Sequence, residues 1–133
     1  MTDVHHATVT IARPPADVYE FAADPRNLPK WAAGLAKSEV RKDGDEWIVD
    51  APFGRASVRF AERNGFGILD HDVRMDSGET VHNPVRVIPH GDGSELIFTL
   101  IRRPEVSPAD FAKDKAAVEK DLRTLKELLE RQA

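Results

Sequence analysis

No cysteine occurs among the 133 residues. That absence excludes disulfide scaffolding, thiolate metal sites and a cysteine nucleophile together. Aromatic residues make up only 7% of the chain, with two Trp and one Tyr, so each large ring fills a substantial share of whatever core forms. No apolar run approaches the roughly 20 residues a membrane-spanning helix needs. The opening Met1-Thr-Asp-Val-His-His has neither the charged segment nor the apolar stretch of a secretion signal. Lys and Arg number 19 against 23 Asp and Glu, giving a net charge of −4 with no basic block, which argues against a nucleic-acid surface or an anionic-membrane patch. HExxH, a Walker loop, GxGxxG after a strand and a GxSxG elbow are also missing. Five scattered histidines without cysteine point away from metal catalysis, and the expectation is no metal and no cofactor. The chain reads as one domain over residues 1–133, cytoplasmic, and a monomer or homodimer.

What is present is an ordinary globular balance, 41% hydrophobic and 32% charged, on a chain long enough to bury a real core. The strongest local signal is Ser107–Ala133. Ser107 is a good N-cap, Pro108 suits the first helical position, and Asp110 sits where a capping-box acid reaches back. Phe111, Val118, Leu122, Leu125 and Leu129 then recur at helical spacing. The stripe is interrupted at Asp114 and Lys115, as expected of a helix with one packed end and one end facing a cavity.

Upstream, strands dominate. His5–Ala12 alternates Ala7, Val9 and Ile11 against Thr8 and Thr10, and Arg13-Pro14-Pro15 ends it. Val18, Phe21 and Ala22 mark one short helix; Leu28, Trp31, Ala32 and Leu35 keep the spacing of a second. Glu39–Lys42, an Asp43-Gly44 turn and a strand through Trp47 and Val49 form a hairpin. Arg55–Glu62, Gly67–Met75, Thr80–Ile88 and Glu95–Arg102 follow, separated by Asn64-Gly65, Ser77-Gly78 and Gly91-Asp92-Gly93. The outer face of this antiparallel meander carries Arg55, Ser57, Arg59, Asp70, Asp72, Arg74, His82 and Arg86. The dry face needs a cover, and the last helix is long enough to provide it. Where side chains between sheet and helix are short or polar, space is left, so the architecture is a container.

Four segments carry a resemblance. They are Arg13-Pro14-Pro15-Ala16-Asp17-Val18-Tyr19, Asn27-Leu28-Pro29-Lys30-Trp31, Phe66-Gly67-Ile68-Leu69-Asp70-His71 and Asn83-Pro84-Val85-Arg86-Val87. With the element order, they make the chain resemble the SRPBCC superfamily, which includes START-type lipid-transfer domains, polyketide cyclases and plant carriers of hydrophobic ligands. The resemblance implies an α+β helix-grip fold: a curved antiparallel sheet of six to seven strands around a long C-terminal helix, with two short helices after the first strand. It implies no shared catalytic set, because members include carriers, cyclases, dehydratases and co-chaperones.

His71 lies between Leu69 and Val73 on an apolar strand face, so alternation points it toward the helix. There it suits proton transfer or a ligand carbonyl, or a structural hydrogen bond. Asn83 repeats the pattern among Val81, Val85 and Val87, and burying its amide unpaired costs about 1–3 kcal/mol. The two come close if their strands pair in a short-hairpin register. Trp31, Trp47, Phe60, Leu69, Val81, Phe98 and Phe111 are the expected apolar wall, with Lys115 as a further polar contact from the helix. His5 and His6 are adjacent on a strand and point to opposite faces, so they form no metal site alone. The expected function is binding of a small hydrophobic molecule, lipid- or polyketide-like. A second possibility, suggested by the resemblance, is an aldol-type cyclase or dehydratase in which His71 moves a proton and Asn83 donates to a developing enolate. A third is a protein-interaction or co-chaperone module.

Overall fold

The computed structural model describes residues 3–32, 38–51 and 54–131. Strand β1 (Val4–Ile11) leads through Arg13-Pro14 into helix α1 (Pro15–Ala22), a 3-10 turn (Pro25–Asn27) and the single-turn helix α2 (Leu28–Trp31). Strands β2 (Glu39–Asp43), β3 (Glu46–Ala51), β4 (Gly54–Phe60), β5 (His71–Met75), β6 (Thr80–Asn83), β7 (Val85–His90) and β8 (Gly93–Ile101) follow, and helix α3 (Pro108–Arg131) closes the chain. All neighbours pair antiparallel, in the orders β2-β3-β4-β5-β6 and β1-β8-β7. This is the helix-grip arrangement, with eight strands where the sequence suggests six to seven. The second short helix is a 3-10 turn and one α turn, and the Leu35 position of its expected stripe lies outside the described residues.

The extra strands come from breaks in two segments that read as continuous. Pro84 lacks an N–H and cannot donate to a ladder, so Thr80–Ile88 divides into β6 and β7 around it. Opposite that break, Gly67–Met75 divides at Asp70. Leu69 N donates to Val85 O at 2.8 Å and Val87 N to Gly67 O at 2.9 Å, so the first half pairs with β7. From His71 onward the chain pairs with β4 and β6 instead. The Asp70 carboxylate pins the corner: Oδ1 accepts from Val85 N and Arg86 Nε, both at 2.9 Å, and Oδ2 accepts from Arg86 Nη2 at 2.7 Å. The guanidinium holds this carboxyl below the usual carboxylate range, partly offset by burial. Asp70 is therefore a structural latch rather than one more solvated charge of the outer face. Gly67 is required here too. Its φ is +73° and an added Cβ would lie 2.1 Å from Val87 O.

Helix α3 begins as its sequence indicates, with Asp110 N donating to Ser107 Oγ at 3.1 Å. Phe111, Leu122, Leu125 and Leu129 are buried against Ile11, Val18, Ala22, Leu69, Val85, Val87 and Leu96. These contacts fill the space between α3 and the β1-β8-β7 strands. None of the described β2 to β6 residues joins that cluster. Among the described residues no helix is long and apolar enough to cross a membrane.

Candidate functional site

The concave face of β2 to β6 is laid out in rows by register. One row runs Val40, Val49, Ala56, Met75; the next Lys42, Trp47, Val58, Val73, Val81; the third Phe60, His71, Asn83. Paired residues of an antiparallel ladder point to the same side, so these rows form a wall. Alanine and valine dominate its middle, and short side chains cannot reach across to α3. A cavity of about 250 Å³ results. Among the described residues its sheet wall is Val49, Ala56, Val58, His71, Val73, Met75 and Phe98, its floor Leu28, Trp31 and Ala32, and its helix wall Val118, Asp121 and Leu122.

His71 and Asn83 are directly opposed in the β5–β6 register, and Asn83 Nδ2 lies 3.4 Å from His71 Nε2. His71 Nδ1 lies 3.1 Å from Leu69 O. A carbonyl only accepts, so Nδ1 carries the proton and Nε2 presents a lone pair, which the Asn83 amide N–H meets at long range. Phe60 and Phe98 flank the imidazole, with ring centroids 5.0 Å and 6.1 Å away. Burial among these rings pushes the His71 pKa below its ordinary value near 6.5, against the opposing pull of the Leu69 hydrogen bond and of Asp70 and Asp72.

That shift has a sign. Below about pH 6.5 the unfolded chain takes up a proton at His71 that the native state refuses, so stability falls as the pH drops toward the folded pKa. The loss is at most about 1.4 kcal/mol per pH unit for this one group. Urea denaturation at pH 7.5 and 5.5 should show a smaller difference for His71→Gln than for the unsubstituted protein. Equal differences would mean the buried imidazole is not what titrates.

The expected wall residues divide. Trp31, His71 and Phe98 line the cavity. Phe60 and Leu69 do not; together with Trp31, His71 and Phe98 they surround an adjoining void of about 20 Å³. Asn83 reaches the site through His71 rather than as a lining residue. Trp47 lies beyond the cavity, in a separate polar groove that it shares with Lys42, Asp24 and Arg26. Val81, on edge strand β6, does not line the cavity. Phe111 is packed into the core, and Lys115 does not reach the cavity either, because its ammonium lies over the Phe111 ring at 5.2 Å. Asp114 is exposed. The interruption at 114 and 115 therefore does not meet His71. The polar group that α3 contributes is Asp121, which the stripe read from the sequence omitted. It lies three residues after Val118 and four before Leu125, a spacing that places it on the same face.

Two further polar features bear on what the cavity accepts. Trp31 Nε1 is buried without a hydrogen-bond acceptor among the described residues. No group of three or more His, Cys, Asp or Glu side chains among the described residues is arranged to hold a metal ion.

A family profile described as "Polyketide cyclase / dehydrase and lipid transport" matches residues 2–130. No curated protein matches the sequence significantly. Among solved structures, the Aha1 dimer of Colwellia psychrerythraea superposes with a TM-score of 0.77 at 13% identity, over 96% of both chains. A protein of Chromobacterium violaceum gives 0.69 at 18% identity, again over 96% of both. Ara h 8.0201 gives 0.70 at 14% identity, over 97% of this chain and 98% of its own. At these identities the likeness is one of fold.

Proposed function

The chain belongs to the polyketide cyclase/dehydrase and lipid transport family, and from that premise we propose that it binds one small hydrophobic molecule, lipid- or polyketide-like, between sheet and α3, with His71 and Asn83 as its polar anchor. The observation that carries this reading is the cavity itself, about 250 Å³ with walls made almost wholly of Val, Ala, Leu, Met and aromatic carbon. Concave apolar sites with a few converging polar groups are what small-molecule recognition uses. An apolar cavity of about 150 Å³ holds a benzene, so this one suits a body of about two fused rings.

Proton-transfer catalysis would use the same Nε2 lone pair. Burial lowers the basicity of that nitrogen, which keeps the ring neutral and its Nε2 lone pair open to a hydrogen-bond donor. Naphthalene is a suitable minimal probe. Its ten carbons, at about 0.6 kcal/mol each, give about −6 kcal/mol, a Kd of about tens of micromolar. Calorimetric titration should show one saturable site per chain. Purely non-saturable uptake at concentrations up to the solubility limit would refute the proposal.

A further inference from the structure

We infer that the His71–Asn83 end of the cavity is a hydroxyl-recognition site, selecting neutral alcohols, phenols or enols over ethers, ketones and carboxylates of the same shape. The inference rests on the binding role proposed above and deepens it.

The Leu69 carbonyl fixes His71 as the Nδ1–H tautomer, so Nε2 offers an acceptor and nothing else. Its present partner, Asn83 Nδ2 at 3.4 Å, lies beyond the 2.7–3.2 Å of a good N–H hydrogen bond. The pair is underused as it stands. A hydroxyl oxygen inserted there donates its proton to Nε2 and accepts from the Asn83 amide, replacing one long contact by two short ones. Trp31 favours an oxygen-bearing ligand without discriminating among the types of oxygen. Its buried Nε1–H has no acceptor among the described residues, and Trp31 and His71 flank the same small void beside the cavity. Leaving such a donor unmet costs about 1–3 kcal/mol, a penalty that any ligand acceptor within its reach would relieve.

The excluded ligands follow from the same atoms. An ether or ketone brings only lone pairs to the Nε2 lone pair. A carboxylate does so with a full negative charge, and among the described lining residues no Lys or Arg receives it. Protonating His71 to hold the anion is opposed by the burial of the ring.

The test is a matched set of 2-naphthol, 2-methoxynaphthalene and 2-naphthoate, titrated at pH 7.5. The expected result is 2-naphthol binding at least about tenfold tighter than either of the others. That preference should collapse to within about twofold in His71→Phe, which removes the acceptor; the preference is the ratio of affinities within each protein, so a general change in cavity affinity cancels. If His71→Phe does not fold, the ¹⁵N resonance of His71 Nε2 in the unsubstituted protein decides the matter: it should move on adding 2-naphthol and stay in place with 2-methoxynaphthalene. Equal affinities for the three compounds, or a preference that survives in His71→Phe, would overturn the inference while leaving the binding role intact. Failure of all three, and of naphthalene, to bind would overturn both.

Discussion

Ala56→Phe should abolish naphthalene binding, weakening it at least about 100-fold (about 2.7 kcal/mol), while changing unfolding free energy by no more than about 1 kcal/mol. Ala56 is 4% exposed and sits in the middle of the concave wall, paired with Val49 on one side and Met75 on the other. Its Cβ points into the cavity. A phenylalanine there has somewhere to go, unlike in a close-packed core, where added carbons cost about 1–3 kcal/mol in strain. It also suits a strand. Occupied by its own side chain, the cavity has no room for a second ring. Val73→Phe, from the adjacent strand, should act in the same way and guards against a local folding defect at β4. Loss of binding together with a large loss of stability would mean that this space is packed core rather than a binding site.

The opposite substitution, large to small and on helix α3, should leave the cavity largely alone and damage the fold. Leu125 is fully buried, and it packs in the cluster that joins α3 to the β1-β8-β7 strands. Leu125→Ala should cost about 3–4 kcal/mol, the lost transfer free energy plus a new void that rigid neighbours on both sides cannot close. Against a total of about 5–15 kcal/mol for a domain, that is a lowering of Tm by roughly 10 °C or more. Leu122, one residue past Asp121, lines the cavity, so Leu122→Ala opens onto existing space and should cost less. Thermal denaturation of the two variants side by side checks this ordering. A Leu122→Ala loss equal to or above that of Leu125→Ala would contradict the division of α3 into a packed part and a cavity-facing part.

Much of this division can be read in the sequence. Alternation in β4 and the apolar repeat of α3 each depend on one periodicity, so Val58, Leu122 and Leu125 face inward as their spacing requires. The His71–Asn83 pairing was legible for the same reason: both interrupt apolar faces of consecutive strands. What was not legible has local causes. Pro84 and Asp70 break two strands at one corner, and only the three-dimensional latch of Asp70 on Val85 N and Arg86 shows that the breaks belong together. Lys115 interrupts the α3 stripe, but its flexible stem folds back over Phe111, a choice that spacing alone does not determine. Asp121 could have been found from its position between Val118 and Leu125, but beside Leu122 it reads as an ordinary solvated acid. Trp47 shares the row of Val58 in the ladder yet borders the polar groove beside Glu20 and Asp24 rather than the cavity.

The most direct test of the central claim is a methyl-resolved NMR titration with naphthalene. Ring-current shifts should appear at the methyl groups of Val49, Val58, Val73, Met75, Val118 and Leu122, which line the cavity. The exposed methyls of Val4 and Ile101 on the far side of the sheet should not move. Saturable shifts confined to the cavity set are the result expected. Shifts spread over the exposed methyls, or none in the cavity set at saturating naphthalene, would contradict an internal binding site.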